Sequence, residues 1–237
     1  MYWENLEILV GTGGWEYLPV EAEDKLREYG KLFDFVEVNS TFYQYPRLST
    51  VRSWRQTVPD GFVFSVKCHR DATHVYGLRP VEGTFQALER MFQVCRFLRS
   101  DMLVLQTPAS MVFNDDFSAL SKTLANLTPS GTHLIWEARR PGGGRLPESL
   151  MKFMAEENIV QAVDLTRRDA PEGQEILYSR VFGREGGSLY PLSNPELDDI
   201  VKRISRSDAK RAILTFHGFR MYQDAITVKS SDYLGLE

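Results

Sequence analysis

Eight short apolar runs, separated by amphipathic stretches, recur from one end of the chain to the other, and few folds accommodate that rhythm. The runs are Ile8-Leu9-Val10, Phe35-Val36-Glu37-Val38-Asn39, residues 62–67, 102–106, 133–137, 159–164, 176–181 and 211–216. Near-continuous apolar runs this short suit strands buried on both faces, as in parallel sheets. Between them, Leu26, Tyr29 and Phe33 recur at helical spacing. So do Phe85, Leu88, Met91, Phe92, Cys95 and Leu98, and then Phe117, Leu120, Leu124 and Leu127. Leu150, Phe153 and Met154 mark another helix, and Leu197, Ile200, Val201 and Ile204 the next. Ser49 reads as the cap of a helix through Val51 and Trp54, and Asn194-Pro195 as the cap and first turn of another. No helix is expected after the sixth run. Such alternation predicts parallel strands joined by right-handed crossovers. Eight units in 237 residues, close to the roughly 250 typical of such barrels, predict an α/β fold. Its form is a single-domain (β/α)8 TIM-type barrel over residues 1–237. An open doubly wound sheet is the alternative that the same pattern permits.

Two cysteines, Cys68 and Cys95, are too few for a disulfide framework or a metal cluster, so a reducing cytoplasmic setting is expected. No apolar run approaches the roughly 20 residues of a membrane span. Met1–Asn5 lacks the basic and apolar segments of a signal peptide. The net charge of −4 argues against a surface basic all over. Arginines nevertheless gather in the expected strand-to-helix connections: Arg70, Arg79, Arg139, Arg140, Arg145, Arg167, Arg168, Arg184 and Arg220. Asp71, Asp169, Glu172 and Glu185 dilute them. Arginines on one face predict a small anionic ligand, a phosphate or carboxylate. The glycine-rich stretch from Arg139 to Arg145 is the sharpest case, since its backbone is free to approach an anion closely.

The polar residues at the strand ends are where a barrel places its chemistry. Glu37 and Glu137 lie inside apolar runs, where a carboxylate is costly unless paired or used. Lys67 and Arg180 are the expected partners. Glu37 and Glu137 are the candidate acid and base, with Asp164 and His74 to orient or relay. Lys67, Arg139 and Arg180 would hold the anion. Thr12, Trp15, Asn39, Thr41, Tyr43, Gln106 and His217 complete the candidate ligand wall. The competing reading is a buried ion network that closes the top of the barrel. Gly11-Thr12-Gly13-Gly14 does not match a dinucleotide fingerprint and reads as a tight turn bringing Trp15 and Tyr17 toward the site. No cofactor motif is present. The histidines, residues 69, 74, 133 and 217, lack metal-ligand spacing. A divalent metal site would have to be assembled from distant loops, with His69, His74, His217, Glu137 and Asp164 as donors. Cys68 reads as a core residue, and no serine sits in a nucleophile elbow.

Two segments, Gly11-Thr12-Gly13-Gly14-Trp15-Glu16-Tyr17 and Val36-Glu37-Val38-Asn39-Ser40-Thr41-Phe42-Tyr43, resemble the signatures of the YecE-like family, domain of unknown function 72. Phe64-Ser65-Val66-Lys67, Thr73-His74, Leu105-Gln106-Thr107-Pro108, Trp136-Glu137-Ala138-Arg139, Val163-Asp164 and Tyr178-Ser179-Arg180 extend the resemblance over nearly the whole chain. It implies a TIM-type barrel and no settled activity. Members of the family have been likened to endonuclease-IV-type barrels, which act on abasic DNA with metals. The chain departs from the family pattern at Gly13, where a serine is usual, and at Phe182, where a histidine is usual. It departs again around His217-Gly218 and in the glycine-rich loop after Arg139. Three functions remain open. They are an enzyme acting on an anionic substrate, a nucleic-acid-binding or processing barrel with Trp15, Tyr43 and Tyr76 stacking on bases, and a ligand-binding barrel without turnover.

Overall fold

The computed structural model describes residues 6–112, 117–140, 144–183 and 191–230. Its strands are β1 (Glu7–Thr12), β2 (Phe35–Val38), β3 (Val63–Lys67), β4 (Met102–Thr107), β5 (His133–Ala138), β6 (Val160–Gln161), β7 (Ile176–Val181) and β8 (Arg211–Phe216). The α-helices among the described residues are α1 (Lys25–Leu32), α2 (Leu48–Thr57), α3 (Glu82–Leu98), α4 (Ser118–Leu127), α5 (Glu148–Glu156), α6 (Asn194–Ser205) and α7 (Met221–Lys229). The strand order is β6-β5-β4-β3-β2-β1-β8-β7. Sequence neighbours are therefore sheet neighbours, and the first strand lies beside the last. This is the (β/α)8 barrel class that the eight runs predict. No helix among the described residues is long and apolar enough to cross a membrane.

The chain divides into two compact units. The first comprises Met1–Glu37, Val58–Val63 and Ala162–Glu237. In it β8 pairs in parallel with both β1 and β7, and β1 pairs with β2 at Gly11–Phe35 and Thr12–Val36. Phe35, Val36, Ala212, Ile213 and Leu214 are wholly buried, as are Tyr29 and Phe33 from the end of α1. Helix α1 starts where the Asp24 carboxylate accepts the Arg27 amide N–H at 3.1 Å. Helix α6 begins one residue before the expected place. Ser193 is its cap, and the Ser193 N–H and hydroxyl both donate to the Glu196 carboxylate at 2.9 and 2.8 Å. That reciprocal arrangement makes Asn194 the first helical residue and Pro195 the second.

The second unit comprises Val38–Thr57 and Phe64–Gln161, with the parallel ladder β3-β4-β5-β6. All six residues of β4 are buried, which explains why its run reads as unbroken. Helix α3 turns Ala87, Leu88, Met91, Val94, Cys95 and Leu98 to the core. It ends at Arg99 in the left-handed region (φ 55°), and the Ser100 hydroxyl then donates to the Phe64 carbonyl at 2.6 Å. Helix α2 starts earlier than Ser49 suggests. The Arg47 carbonyl already accepts the Val51 N–H at 3.1 Å, which places Ser49 inside the first turn. Strand β6 pairs with β5 only through Val160 and Gln161. The next residues bridge to β7 instead, with Val163 opposite Ser179. Residues 164–175 contain no helix, as expected.

Helix α7 was not anticipated from the sequence, and it buries a carboxylate. Asp224 is 4% exposed, and Arg220 stands 3.9 Å away at Nε. Burial raises its pKa from 3.8 to about 6, with Arg220 acting in the opposite direction. A carboxyl whose folded pKa is raised contributes its stability below the unfolded value and loses it as pH rises through the folded one. Asp224→Asn is therefore expected to be more stable than the parent at pH above about 7, by roughly 1–3 kcal/mol. The difference should vanish below about pH 4, where both side chains are neutral. Urea unfolding at the two pH values measures it. Equal stability at the higher pH would mean that Asp224 carries no such penalty.

Candidate active site

In the first unit the C-terminal ends of β2, β7 and β8 place four side chains together. Glu37 is fully buried. Its Oε2 accepts the Tyr178 hydroxyl at 2.8 Å and Arg180 Nε–H at 3.1 Å, and its Oε1 accepts Arg180 Nη2–H at 2.8 Å. The guanidinium thus grips both carboxylate oxygens, the strong two-pronged geometry for this pair. His217 Nε2 lies 3.6 Å from Glu37 Oε1 and 3.2 Å from the Thr215 hydroxyl. Phe182 stacks on the His217 ring with centroids 4.7 Å apart and planes at 16°. The sequence offers Tyr178 only as part of a family motif and not among the candidate site residues. It stands two residues before Arg180, so on the same face of β7, and that spacing was the available signal.

Asp164 does local work. Its Oδ1 accepts the Thr166 N–H and hydroxyl at 3.0 and 2.7 Å, and its Oδ2 accepts the Phe182 N–H at 3.1 Å. Burial raises its pKa above the ordinary value, while the bonds from Thr166 and Phe182 and the charge of Arg167 pull the other way. Thr12 is buried, its N–H bonded to the Tyr29 hydroxyl at 2.9 Å and its own hydroxyl to the Gly14 carbonyl at 2.7 Å. Trp15 is buried, whereas Tyr17 from the same turn is exposed.

In the second unit a different group converges. The Thr41 hydroxyl lies 2.7 Å from the Val38 carbonyl and 2.6 Å from the Lys67 carbonyl, which ties the end of β2 to the end of β3. The buried Lys67 holds its ammonium 4.3 Å from the centre of the Phe42 ring. His74 meets the same ring edge-on, at 5.0 Å and 81°. One aromatic ring therefore brings Lys67 and His74 into each other's neighbourhood. His74 Nδ1 lies 2.9 Å from the Thr73 hydroxyl. Burial lowers the His74 pKa, and the charges of Lys67, Arg70 and Arg139 lower it further. Glu137 pairs with Arg139, Oε1 to Nε at 2.7 Å. Gln106, also buried, lies opposite Glu137 in the β4–β5 register.

Asn39 is partly exposed, and Tyr43 is exposed beside Phe42, their rings perpendicular at 4.9 Å. Of the rim arginines, Arg70, Arg79, Arg139, Arg145, Arg167 and Arg220 are exposed, and Arg140 and Arg168 are half-buried. Arg184, Glu185 and Pro141–Gly143 of the glycine-rich loop lie outside the described residues. Among the described residues no three His, Cys, Asp or Glu side chains gather to hold a metal ion.

No curated protein matches the chain by sequence. Solved structures are similar to it over almost their whole length. A DUF72 family protein from Enterococcus faecalis superposes with a TM-score of 0.74 at 17% identity, covering 98% of this chain and 99% of that one. Another from Thermotoga maritima gives 0.69 at 21%, covering 94% and 98%. The 3-keto-D-glucoside 4-epimerase of E. coli gives 0.66 at 11%, covering 94% and 98%. At such identities the likeness speaks to the fold alone. The family model described as protein of unknown function DUF72 matches residues 9–227, and the chain belongs to that family.

Proposed function

We propose that this protein is an enzyme acting on a small anionic substrate, a phosphorylated or acidic sugar. It would move a proton next to the sugar's carbonyl, with Glu137 and His74 as the exchanging groups. The observation that carries the reading is an imidazole kept uncharged among cations: burial, Lys67, Arg70 and Arg139 all oppose protonation of His74. Cations gathered around a neutral base suit an anion that is to lose a proton. Lys67 and Arg139 would neutralise the substrate and the negative charge that develops on its carbonyl oxygen. For His74 to accept a proton at Nε2, its Nδ1–H must donate to the Thr73 hydroxyl, and the 2.9 Å separation suits that bond. Glu37, with both oxygens taken by Arg180 and Tyr178, is assigned a holding role rather than proton transfer. The sugar is suggested by analogy with the epimerase of the same fold.

The test needs no known substrate. Titrating the His74 ring by NMR with inorganic phosphate present should raise its pKa, because a bound anion cancels the cations that depress it. Arg139→Ala should abolish the effect. A titration indifferent to saturating phosphate would overturn the reading. A second reading, a nucleic-acid-binding or processing barrel, draws on the exposed Tyr43, Arg47, Arg70 and Arg79. Oligonucleotide binding that weakens steeply with salt, with His74 insensitive to phosphate, would favour it.

A further inference from the structure

His74 sits on a single π turn, Asp71–Val75, closed by the Tyr76 N–H donating to the Asp71 carbonyl at 2.8 Å. Such turns are short and weakly held by their own bonds, so what pins this one matters. The pin is a cluster apart from the groups invoked above. Tyr45 stacks on the His69 imidazole at 3.8 Å and 20°, and its hydroxyl donates to Asp71 Oδ2 at 3.0 Å. His69 is buried. Its Nδ1 accepts the Asp71 backbone N–H at 3.2 Å and also lies 3.3 Å from Asp71 Oδ2.

One nitrogen cannot serve both contacts. A neutral His69 with its proton on Nε2 accepts the Asp71 N–H but turns a lone pair toward the carboxylate. A protonated His69 donates Nδ1–H to the carboxylate and must give up the backbone N–H, since two hydrogens would then face each other. The two states differ by one proton and make different bonds to the first residue of the turn.

We propose that His69 is a proton-operated latch on the turn that presents His74. Neutral, it holds the Asp71 N–H and keeps the turn in the geometry described. Protonated, it shifts its bond to the Asp71 carboxylate and frees the N–H. Several charged and titratable groups lie around it. Tyr45 stacks on it, and its phenol stays protonated because burial and Asp71 both raise its pKa. Arg90 reaches in from α3, its guanidinium 5.1 Å from the Tyr45 ring. Cys68, beside His69 in sequence, is held as a thiol by burial, its pKa raised to about 12. Of these groups, the Asp71 carboxylate faces the imidazole directly, Oδ2 to Nδ1 at 3.3 Å. β4, which packs against the turn, carries no titratable side chain. That the latch governs His74 as a base rests on the function proposed above; the latch itself does not.

Amide exchange and histidine NMR titration on the full chain test this. In the parent, protection of the Asp71 amide should fall about five- to tenfold on the acid side of the His69 titration, the loss of one hydrogen bond. The His74 signals should show a second inflection at the same pH. In His69→Gln, whose side-chain carbonyl accepts the N–H but takes no proton, protection should hold across the range and that inflection should disappear. In Asp71→Asn, His69 should titrate at lower pH, having lost its anionic partner. Flat protection of Asp71 through the His69 titration would overturn the proposal. So would a His69→Gln protein that is unprotected at every pH, because the imidazole would then be a plain spacer. A working latch with a phosphate-insensitive His74 would retain the latch and sink the enzyme reading instead.

Discussion

Arg180→Met is expected to destabilise the protein by about 3–5 kcal/mol, because it strands a carboxylate that has no route to water. Glu37 is 0% exposed and Arg180 2%. The guanidinium supplies two of the three hydrogen bonds that Glu37 receives at distances of 3.1 Å or less. Methionine fills a similar volume, so the loss reports on charge and hydrogen bonding rather than on a cavity. The double variant Glu37→Gln/Arg180→Met should recover much of the loss, since it removes the stranded charge and leaves an amide that the Tyr178 hydroxyl still reaches. Urea unfolding of the parent, both single variants and the double closes the cycle, and a coupling of at least about 2 kcal/mol is expected. If Arg180→Met unfolds within 1 kcal/mol of the parent, as ordinary surface substitutions do, the pair is not the anchor described. The same cycle bears on function, because a protein that tolerates the double substitution allows the holding role of Glu37 to be separated from any chemical one.

Most of this architecture was legible because burial on both faces writes parallel strands as solid apolar runs. β4 and β8 fall within one residue of the runs that announced them. β6 was read too long for a physical reason: Ile159–Asp164 is mostly apolar, yet only Val160 and Gln161 pair with β5, and Val163 bridges to Ser179 instead. Helix α7 escaped notice because it buries Asp224 and exposes Ile226, so its apolar stripe has no clean period. The polar strand ends were legible for the opposite reason, as carboxylates and cations interrupting apolar runs. Their partners were legible only in part. Glu37 finds Arg180 across 143 positions of sequence, and nothing in the residues alone preferred Arg180 to Lys67. Glu137 meets Arg139, two residues further along the chain. Lys67 and His74 are joined by Phe42, which as a sequence position looks like ordinary core. The π turn left no trace, since five residues are too few to show a period. Asp71, at its start, was counted only as an acid diluting the arginines, though it anchors the turn.

Gly11→Ala is expected to cost about 3–5 kcal/mol, near the top of the range for a single methyl group, and to depress soluble yield accordingly. The sequence suggests a turn glycine, but the structure places Gly11 within β1, opposite Phe35 of β2. The reason for glycine there is close approach rather than backbone freedom. A Cβ at this position would stand 2.1 Å from the Phe35 carbonyl oxygen and 2.9 Å from both its carbonyl carbon and Cδ1. The obstacle is backbone, which has no rotamer to change, so the β1–β2 ladder itself must part. That carbonyl also accepts the Tyr29 hydroxyl at 2.9 Å, and the same hydroxyl receives the Thr12 N–H at 2.9 Å. A methyl group that displaces the Phe35 carbonyl therefore disturbs β1, β2 and the end of α1 together. Gly61→Ala is the control, because a Cβ there meets nothing within 4 Å and should change stability by no more than about 0.5 kcal/mol. Gly14→Ala separates the two causes, since its Cβ also meets open space but its φ of +130° strains any side chain, for roughly 1–2 kcal/mol. Urea unfolding of the three variants should rank Gly11→Ala below Gly14→Ala and Gly14→Ala below Gly61→Ala. A Gly11→Ala protein as stable as Gly61→Ala would mean that β1 and β2 do not approach as closely as described.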